Sequence, residues 1–128
     1  MTFRFYIGGY FSGHFEAVLK SDKLFFFISD YPMRIEHEQP THIISIVGDM
    51  EWQNLMNYIT ELKWKRKYET NIFDGIQWEL IVKNENKRLN CSGSNAFPSD
   101  FGNFIALLKK IALKHNIPDA LIENLNIY

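Results

Sequence analysis

The chain has 128 residues, a length at which one domain with its own core is expected. An apolar share of 46% and a charged share of 23% are ordinary for a folded globular protein and exclude a disordered tail. Fourteen Lys and Arg against fifteen Asp and Glu give a net charge of -1, which argues against a general phosphate-backbone binder, and one cysteine excludes a disulfide framework or a multi-cysteine zinc site.

The N-terminus opens on alternation. Phe3, Phe5 and Ile7 share one side and Arg4 and Tyr6 the other, which predicts a strand over 3–10. Gly8-Gly9 then suggests a bulge or bend. His14 to Lys20 alternates again, Ser21-Asp22 makes a hairpin turn, and Leu24 to Ile28 reads as a third strand, buried on both faces or covered by a partner. Residues 30–48 hold Pro32 and Pro40 and read as exposed loop, with a short strand over His42 to Val47.

Asp49 has the short acceptor of a helix N-cap. Trp52, Leu55, Met56, Ile59 and Leu62 then form one apolar stripe of an amphipathic helix. From Leu62 the period changes to two. Leu62, Trp64, Arg66 and Tyr68 fall on one side and Lys63, Lys65 and Lys67 on the other, which predicts a strand with a basic outer face. Asp74-Gly75 is a turn; Ile76, Trp78, Leu80 and Val82 alternate inward; Asn84 to Asn86 turn the chain and Lys87 to Cys91 return it. Pro98 suits a first helical turn, and Phe101, Phe104, Ile105, Leu108, Ile111 and Ala112 make the clearest helical stripe. Asn116 ends that helix, and Pro118 starts a last short one to about Leu125.

These elements predict a single α+β domain over 1–128, a mostly antiparallel sheet of about six strands with two helices on one face. The stretch Glu16 to Asp22 lines up with Glu79 to Glu85, which raises a duplicated β-β-β-α unit as one origin of the fold.

The run Asp74-Gly75-x-x-Trp78-x-Leu80, then Gly93-x-Asn95-Ala96-x-Pro98, then Phe101-x-x-Phe104-x-x-Leu107-Leu108 resembles a family of small uncharacterised bacterial proteins. Their pattern is a DG-x-x-W strand, a hairpin, and a G-x-N-A-x-P turn before the final helix. The resemblance covers about residues 62–113 and implies an architecture and a bacterial or phage setting, with no activity to carry over. Phe97 stands where the family commonly has Tyr, which removes a hydroxyl from any polar role at that position.

The turn Gly93-Ser94-Asn95 could cradle a small anion through its amides, but Gly93 as backbone hinge and Asn95 as helix cap explain it as well. Glu36, His37, Glu38 and His42 lack metal-ligand spacing and read as a polar loop. Cys91 with His14 or His115 could make a nucleophile and base, yet Cys91 runs in phase with Leu89 and reads as core. The basic, aromatic strip from Lys63 to Tyr68 could meet nucleic acid, but on an edge strand it serves to block pairing or to meet an acidic protein. The aromatics exceed what one face of a small sheet needs.

The leading expectation is therefore a non-enzymatic protein-interaction module, an immunity-protein-like inhibitor of a toxin or host enzyme. Tyr10, Phe11, Trp64, Arg66 and Tyr68 are its expected partner-binding residues, and a homodimer is a further option. The alternative is a protein that sequesters a nucleotide-like or anionic metabolite at Gly93, Ser94 and Asn95. No metal, cofactor or catalytic group is expected. The longest apolar run, Leu24 to Ile28, falls far short of the roughly twenty residues that span a bilayer, and the N-terminus lacks signal features, so a cytoplasmic setting without membrane contact is expected.

Overall fold

The computed structural model describes residues 1–9, 13–29, 39–70 and 75–118. The elements in chain order are β1 (Thr2–Gly9), β2 (His14–Lys20), β3 (Lys23–Ser29), β4 (His42–Ser45), α1 (Met50–Thr60), β5 (Lys67–Glu69), β6 (Ile76–Lys83), β7 (Arg88–Ser94) and α2 (Phe101–Lys114). The strands form one sheet in the order β4-β3-β2-β1-β6-β7-β5. Every pairing is antiparallel except β5 with β7. The fold is α+β, with seven strands where about six were expected, because His42–Ser45 joins as an edge strand.

Alternation decides which side of the sheet is core. Phe3, Phe5 and Ile7 of β1, Phe15 and Ala17 of β2, Leu24 and Phe26 of β3, Trp78, Leu80 and Val82 of β6, and Cys91 of β7 are buried on one face. The buried stripes of α1 (Trp52, Leu55, Met56, Ile59) and α2 (Phe101, Phe104, Ile105, Leu108, Ile111, Ala112) complete the same core. Aromatic edges meet across the layers, as where Phe3 abuts Trp52 at 5.1 Å and Phe5 abuts Phe104 at 4.9 Å between ring centroids.

The helices are tied at both ends. Asp49 caps α1 by accepting from the Trp52 amide at 3.0 Å, and its other oxygen lies 2.5 Å from His115 Nε2 at the end of α2. Asp100, just before α2, accepts from the Tyr58 hydroxyl of α1 at 2.6 Å and from Trp64 Nε1 at 2.8 Å. Asn116, at φ 63°, ends α2 as expected.

Four local expectations change. Gly8-Gly9 makes no bulge, since the β1 pairing to β2 and β6 runs through Gly8 without a break. Residues 62–65 do not join the sheet, because Trp64 is held to Asp100 and bonding to β7 begins at Arg66, whose carbonyl accepts from the Ser92 amide at 2.9 Å. Pro98 lies in the turn before α2, its carbonyl accepting from the Phe101 amide at 3.1 Å. The two halves do not share a pairing scheme: β1 is antiparallel to β2, whereas β5 runs parallel to β7 and away from β6. The strands that carry the aligned stretches, β2 and β6, instead flank β1 on either side. The expected last helix lies beyond the described residues except at Pro118.

Candidate functional site

With both helices on one face, no described element covers the other face of the sheet. The register arranges its side chains in rows across the strands. One row runs Ile43, Phe25, Val18, Arg4, Ile81 and Asn90; the next runs Phe27, Glu16, Tyr6, Glu79, Ser92 and Lys67. The first is mostly apolar, with Ile43 exposed and Phe25, Val18 and Ile81 half-buried. The second is polar and charged.

At the centre the Arg4 guanidinium bridges two carboxylates, Glu16 on β2 at 2.6 Å and Glu79 on β6. Both glutamates stand opposite Tyr6 in the register, one from each side. The planar guanidinium suits this double role, since it offers donors in two directions at once. Glu16 is buried, as few glutamates are unless paired.

Beside this knot, Tyr6 Oη and His14 Nδ1 share a hydrogen bond of 2.5 Å, with their rings stacked at 5.7 Å. Gly8 is the floor beneath them. A Cβ there would lie 2.4 Å from His14 Nδ1 and 2.6 Å from the Tyr6 hydroxyl, so only glycine leaves the pair its space. His14 Nε2 is buried and makes no hydrogen bond. Leaving such a nitrogen unsatisfied costs about 1–3 kcal/mol. Arg4, Tyr6, Gln77, Glu79, Ser92, Ser94, Lys67 and Glu69 rim a depression of about 380 Å³ on the β1–β6–β7–β5 half of this face.

The residues expected to bind a partner are placed differently. Tyr10 and Phe11 lie outside the described residues. Trp64 packs its indole against the core, its ring centroid 5.7 Å from those of Trp78, Phe101 and Phe104, and is half-buried there. Tyr68 sits against Trp78, and its oxygen accepts from the Lys65 amide at 2.9 Å. Arg66 alone of the three is exposed. The basic strip therefore exposes its lysines and Arg66, while Trp64 and Tyr68 are half-buried. A shallow hollow of about 620 Å³ at the end of α1 touches Tyr58, Trp64 and Tyr68, with Lys63, Lys65 and Glu61 at its rim.

The Gly93-Ser94-Asn95 turn is committed to the fold. Trp78 Nε1–H donates to the Ala96 carbonyl at 2.9 Å, directly over Gly93, where a Cβ would lie 2.1 Å from that nitrogen. Asn95, at φ 53°, accepts from the Ile76 amide at 2.7 Å through its side chain, so it closes β6 and does not cap α2. Gly75 makes room for that side chain. Gly75, Trp78, Gly93, Asn95 and Ala96 thus meet in one structural lock. Ser94 Oγ accepts from Gln77 Nε2 at 2.8 Å.

Cys91 is on the helix side of the sheet, its Sγ 3.9 Å from the Trp64 carbonyl, while His14 faces the opposite side and His115 bonds Asp49. Burial pushes the Cys91 thiol up, against the pull of Lys87. Of the loop cluster only His42 is described; Glu36, His37 and Glu38 lie outside, as does Asp74. No group of three metal-ligating side chains occurs among the described residues, nor is any described helix long and apolar enough to cross a membrane.

Sequence reasoning did not single out Arg4 or Glu16, weighed His14 only as a base for Cys91, and did not join Tyr6 or Glu79 to them. The signal was present as opposite charges on the outward phase of three strands, with Glu16 and Glu79 at matching places in the aligned stretches. What was missing was the knowledge that β2 and β6 flank the same strand. Comparison of the chain with protein-family models, with curated proteins and with solved structures finds no match.

Proposed function

We propose that this chain is a non-enzymatic protein-interaction module, of the kind an immunity protein or other small inhibitor represents, and that it receives its partner on the outer face of the sheet. One observation carries the reading. The apolar row Ile43, Phe25, Val18 and Ile81 lies beside the Arg4–Glu16–Glu79 knot, with no described element over either. An apolar strip next to fixed charges has the composition of a protein interface, where buried apolar contacts supply affinity and charges set register. The unsatisfied His14 nitrogen and the glycine beneath it add to this, because both cost stability without serving the core.

The test is recovery of a partner from the host lysate by the tagged chain and two variants. Val18→Asp with Ile81→Asp puts carboxylates on the outer face, and Lys110→Glu alters the exposed side of α2. Wild type and Lys110→Glu should retain the same stoichiometric protein, and the face variant should lose it by about a hundredfold in affinity or more. A protein held equally by all three, or none held by any, rejects the proposal.

A second reading, a binder of a small polar or anionic molecule, draws on the depression rimmed by Arg4, Lys67, Ser92 and Ser94. Native mass spectrometry of the gently recovered chain separates the two, since a retained mass of a few hundred daltons would favour the ligand and a protein adduct the module.

A further inference from the structure

The two edges of the sheet are built differently, and we infer from the difference that the chain pairs with a second copy of itself along β4. The β5 edge is three residues long and charged, with Arg66, Lys67 and Glu69 all exposed, a composition that discourages strand addition. The β4 edge has no such protection. Thr41 to Ser45 contain no Asp, Glu, Lys or Arg, and Ile43 is 51% exposed. Val47 and Met50, each 69% exposed, follow in the turn into α1. Three of the five exposed large apolar side chains among the described residues therefore fall between positions 43 and 50. No described strand lies beyond β4.

The phase of the ladder fixes how a second copy would fit. The Ile46 amide donates to the Asp22 carbonyl at 3.0 Å, and Leu24 pairs with Ile44. Antiparallel alternation then turns the backbone groups of His42 and Ile44 toward β3 and those of Ile43 and Ser45 outward. A twofold axis normal to the sheet at Ile43 makes the two Ile43 residues a hydrogen-bonded pair. It also sets each Ser45 amide opposite the other copy's Thr41 carbonyl. The operation is isologous and keeps both outer faces on the same side. The row Ile81, Arg4, Val18, Phe25, Ile43 then continues through the second Ile43 into the second copy's row. On the core side His42 stands opposite the other copy's Ile44, and no like charges oppose one another across the seam. A seam this short lies at the small end of protein interfaces, so a dissociation constant of roughly 10–100 µM is expected.

Sedimentation velocity over about 5–500 µM tests this, a span that brackets an association of that strength. Wild type should pass from monomer to dimer across the range. Ile43→Lys should raise the dissociation constant at least about tenfold, because it sets two ammonium groups face to face at the axis. Its circular dichroism and melting should stay as in wild type, since Ile43 is half exposed in the single chain. The register has its own readout. In a hydrogen-bonded antiparallel pair the Cα atoms lie about 5.5 Å apart, within disulfide reach. Ile43→Cys should therefore give a disulfide-linked dimer under mild oxidation, while wild type, whose Cys91 is buried, and Glu69→Cys at the other edge stay unlinked. A monomer at every concentration overturns the proposal. So does a dimer indifferent to Ile43→Lys, or one that Glu69→Cys locks and Ile43→Cys does not.

Discussion

At the scale of single residues, the closest fit in the molecule is where Trp78 lies over Gly93. The indole nitrogen donates to the Ala96 carbonyl across the space a side chain would fill. A Cβ on residue 93 would meet that nitrogen at 2.1 Å and the carbonyl oxygen at 2.5 Å. The oxygen belongs to the backbone and the indole is held by Phe97 and Phe101, so neither yields cheaply. Gly93→Ala should therefore destabilise the chain by about 2–3 kcal/mol, the usual cost of overpacking a tight site. Urea unfolding at neutral pH measures it, and a midpoint within error of wild type would mean the lock is loose. The turn stood out in the sequence because its residue types are unusual there. Gly93 and Asn95 suit an anion cradle as well as they suit a lock. The two differ only in what lies opposite, and Trp78 and Ile76 come near through strand pairing, which spacing along the chain does not encode.

At the scale of elements, each helix is fastened to the other by an aspartate at its start. Asp49 of α1 meets His115 and Lys114 at the end of α2, and Asp100 before α2 meets Tyr58 near the end of α1. Burial pushes the Asp49 carboxyl up, but the Trp52 amide, His115 and Lys114 outweigh it, and the folded value lies below the ordinary 3.8. Asp100 is likewise lowered: burial opposes it, while the bonds from Tyr58 and Trp64 prevail. The same pairing, with burial first, pushes the Tyr58 hydroxyl up to about 12. For both carboxyls the unfolded chain takes up protons more readily. Their stabilisation is whole above the ordinary value and is lost as pH falls toward the folded one. Asp49→Asn keeps a capping acceptor and loses the charge, so it should cost about 1 kcal/mol near pH 7. The gap should close toward pH 3, and a gap that stays constant with pH would assign the loss to packing. Both helices were legible in the sequence because their apolar stripes are long and their ends punctuated. Residues 62–65 were not, since period two marks an inward-facing extended segment whether or not it has a strand neighbour. Trp64 answers to Asp100, a tertiary partner that no local pattern announces.

At the scale of the whole molecule, the sheet divides the chain's chemistry in two. The helix side is closed and apolar, and the outer side keeps the paired charges and the half-buried aliphatic row. Cys91 lies on the closed side, between β6 and β5, and is 1% exposed. Burial, only partly offset by Lys87, pushes its thiol up and so lowers the thiolate fraction at neutral pH. Its Sγ is set against the Trp64 carbonyl, behind a ring that packs on Trp78, Phe101 and Phe104. Displacing the segment over it also breaks the bond from Trp64 to Asp100 at 2.8 Å. Thiol modification should then proceed through opening of the whole core. Under conditions where closing outruns labelling, the free energy read from the labelling rate should match that of unfolding, and its dependence on urea should match the equilibrium slope. Gly93→Ala should speed labelling by the same factor that it lowers stability, about a hundredfold for some 2.7 kcal/mol. Labelling with a shallow urea dependence, unmoved by that substitution, would instead mean that residues 62–69 peel from β7 on their own. The closed core would then be two units of unequal stability.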